Sequence, residues 1–403
     1  MHTPRIVAQV MQCCLPLMHA KLCKALSDAA LAAVSGKPLA LTALALGAPR
    51  PISVRHRVKC IDRLLGNPRL EICRHALYAA IARQWLGGLP QLLIVVDWSS
   101  LTADLQWHWL RASVVVEGRS VTLYEEVHPR QRLGNRAVHQ RFLARLSECV
   151  PPCDQPPIVI TDAGFRNPWF RLVARQGWHW IGRVRNRDFV RFPGSEAWHP
   201  AKHLYAKAAS TAVDLGRAET VRNQPHACRL VLVKKTPQGR KQRYPSGKVQ
   251  DNSSARKIAR RYREPWLLSV SPALDHLDAQ GIVNLYAQRM RIEEEFRDTK
   301  SLILGAGLSM TRSSGQRRLQ ALLLIGHVAQ LTKRLIGEAA KAAQLHLHLT
   351  STNRRARPEL SVMTLARRVL DSPALLRTLK DPWPFRHALR SQVTRVWAQA
   401  VRL

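Results

Sequence analysis

The pattern of apolar and polar residues changes twice along the chain. Residues 1–88 have the spacing of amphipathic helices, with turn signals at SGKP and GAPRP. Short apolar runs of strand length follow, and beyond Ser313 the helical spacing returns. The pattern therefore predicts a helical N-terminal region, an α/β core over residues 89–320 and a helical C-terminal region over residues 321–403.

The central region alternates strand-like and helix-like segments. QLLIVVDWSS is a continuous apolar run that ends in Asp97, which is typical of a buried strand, and ASVVVEGRSVTLYEEV predicts a β-hairpin. A helix at about 137–148 leads to PPIVITDAG, a buried strand ending in Asp162, and the helix NPWFRLVARQG precedes the strand WHWIGRVR. This order predicts a mixed sheet flanked by helices, with a β-rich insertion at about residues 186–266.

The segment YAQRMRIEEEFRDTK, residues 286–300, is predicted to form one helix. At about 100° per residue, four polar residues then fall in one stripe beside a narrow apolar seam. The stripe consists of Tyr286, Arg289, Glu293 and Lys300, and the seam of Leu285, Ile292 and Phe296. A solvated helix face with ion pairs is the usual explanation for such a stripe, so further observations have to decide.

The net charge of the chain indicates what kind of molecule it binds. The 63 Lys and Arg residues outnumber the 27 Asp and Glu residues, for a formal net charge of +36. Nucleic acid is the natural partner for such a surplus. We expect no membrane association, because the sequence has neither a lipidation signal nor an apolar run of about 18 residues. The eight cysteines have no disulfide spacing, which favours reduced thiols in a cytoplasm.

Three carboxylates are candidates for one metal site. A single Asp at a strand end is more often a turn former, but the carboxyl ends of neighbouring strands bring distant residues together. Asp97, Asp162 and Glu293 would repel one another unless a cation lay among them. Oxygen ligands favour Mg²⁺ over zinc, so we expect two Mg²⁺ ions, for which Mn²⁺ can substitute. Such a pair supports in-line phosphoryl transfer, with Arg289 and Lys300 holding phosphates.

These residues carry a resemblance to a known family. The spacing Y-x2-R-x3-E-x6-K, together with IVVDWSS and VITDAGF, resembles the signature of bacterial cut-and-paste DDE transposases of the insertion-sequence-four family. The similarity extends over about residues 50–320, through KCIDRLLGN, GRSVTLYEE, GWHWIGRVR and EPWLLSVS. It implies an RNase H-like core in which Asp97, Asp162 and Glu293 are the metal ligands, and the β-rich insertion separates the second acid from the third.

The resemblance also implies a reaction. The enzyme would cut at the terminal inverted repeats of an insertion sequence by metal-dependent hydrolysis, which frees a 3′-hydroxyl. That hydroxyl would attack the opposite strand to form a hairpin, water would reopen the hairpin, and the 3′-ends would join target DNA. The implied partners are double-stranded DNA and a second copy of the chain, as a homodimer in a synaptic complex at the bacterial nucleoid.

Several residues are expected to contact DNA on the same grounds. Tyr286, Arg289 and Lys300 belong to the signature, and Trp266 falls where related transposases stack an aromatic ring on a flipped base. Packing at a strand start is the alternative for Trp266. Arg183 is expected to contact the end DNA. Recognition of the end is assigned to the N-terminal helices and subunit contact to the C-terminal ones.

Two other functions remain open at this point. The first is an RNase H-like nuclease or resolvase, which would cleave DNA without joining it. The second is a catalytically silent DNA-binding relative, in which only the basic surface matters. The presence of all three acids argues against decay of the metal ligands.

Overall fold

The computed structural model describes most of the chain. The described residues are 3–236, 248–253, 255–256, 264–302, 305–350, 360–379 and 385–402. They belong to two compact units, of which unit 1 comprises Met1–Gln155 and Met290–Val396, and unit 2 comprises Pro156–Arg289 and Trp397–Leu403. Most of the basic run KKTPQGRKQRYPSGKVQDNSSARKIARRYR lies outside the described residues.

Helices and strands alternate in the predicted way. The helices are α1 (Thr3–Met11), α2 (Ala20–Val34), α3 (Leu41–Gly47), α4 (Val54–Leu65), α5 (Pro68–Leu86), α6 (Arg136–Cys149), α7 (Asn167–Arg175), α8 (Ala279–Ala287), α9 (Met290–Lys300), α10 (Gln316–Ala342), α11 (Val362–Leu370), α12 (Pro373–Thr378) and α13 (Phe385–Arg402). The strands are β1 (Leu93–Ser100), β2 (Trp107–Val116), β3 (Arg119–Pro129), β4 (Ile158–Thr161), β5 (His179–Val184), β6 (Phe189–Arg191), β7 (His199–Pro200), β8 (Val213–Thr220), β9 (His226–Val233) and β10 (Trp266–Val270). The predicted α/β class, with a mixed sheet flanked by helices, is confirmed.

In unit 1, the strands β1, β2 and β3 form an antiparallel ladder in the order β3-β2-β1. The predicted hairpin between β2 and β3 is confirmed, and Gly118 supplies the positive φ of +75° that its turn requires. Strand β1 does not end at Asp97 as predicted. It continues to Ser100, because β2 begins early enough for Ser100 to pair with His108, and Asp97 pairs with Arg111.

In unit 2, the strand order is β4-β5-β10-β9-β8-β6-β7. Strands β4 and β5 are parallel and are joined by α7, whereas the other pairs are antiparallel. The predicted strand before Asp162 is present and ends at Thr161. Three antiparallel strands, a helix, and a parallel pair joined by a helix follow one another along the chain in the order predicted from the sequence.

The long helix α10 is the centre of unit 1. Nearly all of its apolar residues are buried, and it contacts α1, α2, α4, α5, β3 and α11. Helices from both ends of the sequence therefore pack around one helix that also touches the sheet. Among the residues that the structure describes, no helix is both long enough and apolar enough to span a membrane.

The single helix predicted for residues 286–300 is wrong. Helix α8 ends at Ala287, two turn residues follow, and α9 begins at Met290. The N–H groups of Gln288 and Arg289 donate to carbonyls three residues back, which tightens the last turn and ends the helix. The apolar seam is nevertheless buried as predicted, since Leu285, Ile292 and Phe296 are at most 5% exposed.

A buried carboxylate in strand β3 links helix α5 to the sheet of unit 1. Glu125 accepts hydrogen bonds from the Tyr78 hydroxyl (2.6 Å), the Trp109 indole (2.8 Å) and the Arg111 guanidinium (2.8 Å). Burial alone would raise the pKa of Glu125, but Arg111 and the Tyr78 hydroxyl bring that pKa below its usual value. Arg111 and Glu125 therefore form a fully buried ion pair at the centre of the hairpin.

Removing the acid of this pair is expected to destabilise unit 1 strongly. Glu125→Ala should lower the free energy of unfolding by about 3 to 5 kcal/mol, because it leaves the Arg111 charge buried without its main partner. Urea unfolding followed by tryptophan fluorescence measures the change.

A matched control lies in the same hairpin. Glu117 forms an ion pair with Arg395 at 3.2 Å, but its side chain is 45% exposed. Glu117→Ala should therefore cost less than about 1 kcal/mol. Equal shifts for the two variants would contradict the assignment of Glu125 to the buried network.

Candidate active site

An open cleft in unit 1 brings together several residues predicted from the sequence. It has a volume of about 590 Å³. The residues that line it are Asp97, Trp98, Ser99, Glu293, Phe296, Arg297, Lys300, Ser301 and Ser309. Strand β1 supplies one wall and helix α9 the other, so two of the three candidate acids and the signature lysine lie in one cleft.

Strand β1 and helix α6 together orient Asp97. The backbone N–H of Trp98 donates to the Asp97 Oδ1 at 2.7 Å, and the Trp98 indole donates to Nε2 of His139 at 3.0 Å. Burial, together with the charge of His128, lowers the pKa of His139 to about 4. The imidazole is therefore neutral near pH 7 and able to accept this bond. The residue that follows Asp97 is thus fixed to a buried histidine of α6.

The three consecutive glutamates of α9 have different surroundings. Glu293 is exposed and lines the cleft, whereas Glu294 forms an ion pair with Arg119 at 3.1 Å. Glu295 is only 8% exposed and lies against the β2–β3 hairpin. The signature spacing selects Glu293, which is also the member of the three that faces the cleft.

Glu295 attaches helix α9 to the hairpin. Its carboxylate accepts a hydrogen bond from the Thr122 hydroxyl at 2.6 Å and another from the Ser120 hydroxyl, both on β3. It also lies 3.1 Å from the Arg111 guanidinium on β2. These contacts fix the position of α9 along its axis and its rotation about that axis. They therefore also fix the position of Glu293 beside β1.

Lys300 is the last residue of α9 and is hydrogen-bonded to strand β1. Its ammonium donates to the Ser99 hydroxyl oxygen at 2.7 Å. Burial, followed by the nearby charge of Arg111, lowers the pKa of Lys300 to about 8. A lysine in this state still carries a charge near pH 7, but it lies close enough to its pKa to titrate in the working range of enzymes.

Asp162 lies in unit 2, directly after strand β4. Its Oδ1 accepts a hydrogen bond from the backbone N–H of Gly164 at 2.6 Å. A Cβ atom at position 164 would lie 2.8 Å from the same oxygen, so the glycine leaves room for the carboxylate. Among the described residues, no group of three or more His, Cys, Asp or Glu side chains is arranged to hold a metal ion. The three-ligand site therefore stays a prediction.

The aromatic residues expected to contact DNA pack on each other in unit 2. Tyr286 is 3% exposed, and its ring meets that of Trp266 edge to face at a centroid distance of 5.0 Å. Trp266 is the first residue of β10 and is partly exposed, with the Lys235 ammonium 6.0 Å from its ring centre. Trp266 thus lies close to both an aromatic ring and a cation.

The two arginines expected to contact DNA are partly exposed. Arg183 donates to the backbone carbonyls of Glu264 (3.3 Å) and Pro265 (3.2 Å), which hold its guanidinium beside the start of β10. Arg289 lies in the turn between α8 and α9, and not on one helix with Glu293 as predicted. Tyr286 and Arg289 belong to unit 2, whereas Glu293 and Lys300 belong to unit 1.

Sequence reasoning missed several residues of the cleft. Ser99 lies two positions after Asp97, so strand alternation places both on one face, and Arg297 follows Glu293 by one helical turn. Both spacings were readable from the sequence. By contrast, Glu295 and Arg111 carry no local signal, because their partners come from distant segments.

The chemistry of the cleft fits a hard divalent cation. Asp97 and Glu293 offer carboxylate oxygens, Ser99 offers a hydroxyl oxygen, and the described residues that line the cleft include neither cysteine nor histidine. Mg²⁺ and Mn²⁺ prefer such oxygen donors, whereas zinc prefers nitrogen and sulfur. The basic side chains of Arg297 and Lys300 on the same helix suit a phosphate group.

Three comparisons relate the chain to known proteins. A search of curated proteins finds no match. Among solved structures, the chain is similar to the cryo-EM structure of the piggyBac transposase synaptic complex with hairpin DNA, with 10% identity and a TM-score of 0.41 over 94% of this chain and 76% of that one. The family assignment rests on another comparison. A model of the transposase DDE domain matches residues 88–331, which is more than half of the chain and includes Asp97, Asp162, Glu293 and Lys300. The chain therefore belongs to the DDE transposase family.

Proposed function

We propose that the protein excises an insertion sequence at its terminal inverted repeats and joins the freed 3′-ends to target DNA. The observation that carries the proposal is the common cleft of Asp97, Glu293 and Lys300 within the segment matched by the DDE domain. Two carboxylates that share a cleft with a phosphate-binding cation suit phosphodiester chemistry. A net charge of +36 supports a nucleic-acid substrate.

In this proposal, Asp97 and Glu293 would hold Mg²⁺ together with Asp162. When bound, the metal supplies Lewis-acid activation of the water or 3′-hydroxyl nucleophile and stabilisation of the leaving oxygen. The neutral His139 keeps Trp98, and through it Asp97, in one orientation. Glu295 keeps α9 in place, so the Glu293 carboxylate does not have to be repositioned between steps.

The reaction would proceed as four phosphoryl transfers at one site. Water cleaves the strand at the transposon end, and the freed 3′-hydroxyl attacks the opposite strand to form a hairpin. Water then opens the hairpin, and the 3′-hydroxyl attacks a phosphodiester of the target. Each attack breaks one P–O bond as it forms another. Lys300 would hold a phosphate in the cleft. The same arrangement of acids and lysine would be used in all four steps.

The remaining expected contacts complete the proposal. Arg289 would bind a phosphate, and Trp266, whose ring packs on Tyr286, would stack on an unpaired base. Arg183 would contact the end DNA. The exposed basic residues of α4 would recognise the terminal repeat, and a second copy of the chain would complete a synaptic complex in the cytoplasm.

Neutralising the acids tests the chemistry. Asp97→Asn, Asp162→Asn and Glu293→Gln should each reduce Mg²⁺-dependent cleavage of the element's own end by roughly 100-fold or more, because metal ligands contribute several kcal/mol to the transition state. Binding of the same DNA in EDTA should be unchanged. Gel analysis of labelled end DNA measures cleavage, hairpin formation and strand joining separately.

Glu294→Gln is the matched control for these acids. Glu294 is adjacent to Glu293 but forms an ion pair with Arg119, so the substitution should leave cleavage within about twofold of wild type. Wild-type cleavage by any of the three acid variants would contradict the ligand assignment. Cleavage without hairpins or joined products would point to a nuclease instead.

The lowered pKa of Lys300 predicts a pH dependence of DNA binding. The ammonium is charged below its pKa of about 8 and neutral above it, so the contact with phosphate is present at lower pH and is lost as the pH rises. In EDTA, the slope of log affinity against log salt should fall by roughly one unit across this transition.

Arginine keeps its charge at all these pH values, so Lys300→Arg should bind DNA with a salt slope that does not change. Fluorescence anisotropy with a labelled duplex measures both slopes. A wild-type slope that stays constant from about pH 7 to about pH 9 would count against a phosphate contact by Lys300.

A further inference from the structure

The hydroxyl of Ser99 occupies a distinctive place in the cleft. Ser99 follows Asp97 by two positions on β1, so both side chains project from the same face of the strand. Its oxygen accepts a hydrogen bond from the Lys300 ammonium at 2.7 Å. A serine hydroxyl accepts and donates at once, so the bond from Lys300 leaves its own proton available for another acceptor.

The groups packed behind Ser99 do not accept that proton. Across the ladder, Ser99 pairs with Trp109, which is fully buried and packs against Phe296 of α9 at a ring distance of 4.8 Å. The Arg111 guanidinium lies 3.9 Å from the centre of the Trp109 ring. Aromatic and cationic groups are therefore buried behind Ser99, and neither kind of group accepts a strong hydrogen bond.

The Ser99 contact also fixes Lys300. A free lysine side chain loses rotamer entropy when it binds a phosphate. In this protein, the hydrogen bond to Ser99 already orders the side chain, and partial burial of Lys300 limits its other positions. The ammonium still has two protons for other acceptors, so Lys300 and Ser99 together present donors to one point of the cleft.

We propose that Ser99 is a substrate-contacting residue, which holds the Lys300 ammonium and donates its own hydroxyl proton to the same DNA phosphate. This inference rests on the proposed function, since it names a contact with the substrate of that site. Strand β1 would then have two roles. Asp97 would hold the metal ion at the reacting phosphate, and Ser99 would bind a second phosphate that does not react.

Binding of a labelled mixed-sequence duplex in EDTA tests the contact without the chemistry. Ser99→Ala should weaken binding by roughly tenfold or more, the size of one hydrogen bond to a charged group. Ser99→Thr keeps the hydroxyl and should bind within about twofold of wild type. Ser100→Ala is the matched control, because Ser100 is adjacent to Ser99 but lies on the opposite face of β1, and it should bind like wild type.

A double-mutant cycle shows whether Ser99 acts with Lys300. In a Lys300→Met background, Ser99→Ala should weaken binding by less than about twofold, because the shared phosphate site is already lost. Wild-type affinity of Ser99→Ala, equal weakening by Ser100→Ala, failure of threonine to restore binding, or full additivity with Lys300→Met would each overturn the proposal.

The test of the Ser99 contact can be distinguished from the test of the proposed function. If Glu293→Gln still cleaves the end DNA, the proposed chemistry fails, while the metal-free comparison of the serine variants still decides the role of Ser99. If the wild-type protein does not bind the duplex at all, both are overturned.

Discussion

The attachment of α9 to the β2–β3 hairpin through Glu295 fixes every cleft residue that α9 carries. Glu295 is only 8% exposed, and a buried carboxylate is costly unless it is hydrogen-bonded and paired with a charge; here the Ser120 and Thr122 hydroxyls donate to it and the Arg111 guanidinium forms an ion pair with it. A shift or rotation of the helix would separate Glu295 from these partners. The buried side of α9 therefore determines where its exposed side places Glu293.

Arg111 connects this attachment to the rest of unit 1. Its guanidinium contacts Glu125 in the hairpin as well as Glu295 on α9, and Glu125 is bonded to Tyr78 on α5. The same charge contributes to the lowered pKa of Lys300. One buried cation thus joins the helical layer to the sheet and also influences the protonation of a group in the cleft, so the stability of the fold and the properties of the site are not independent.

The sequence predicted the parts of the fold that depend on local pattern. Apolar runs located β1 and β4, and a glycine marked the β2–β3 turn. The break between α8 and α9 could not be predicted, because neither Gln288 nor Arg289 is a helix breaker and only the tightened hydrogen bonds reveal the end of α8. The roles of Glu295 and its neighbours were also hidden, since Glu295 and Thr122 lie 173 positions apart in sequence. Patterns of spacing identify which acids to consider, whereas long-range burial decides which of three adjacent glutamates is structural.

The glycine beside Asp162 has a consequence for how this acid should be studied. Alanine scanning interprets a residue by the atoms that are taken away, and Gly164 has no side-chain atoms to lose. Its contribution is the free space that the Asp162 oxygen occupies next to a backbone N–H. At this position a single added methyl group is the informative change, so a survey made only by truncation would overlook a residue that orients one of the three acids.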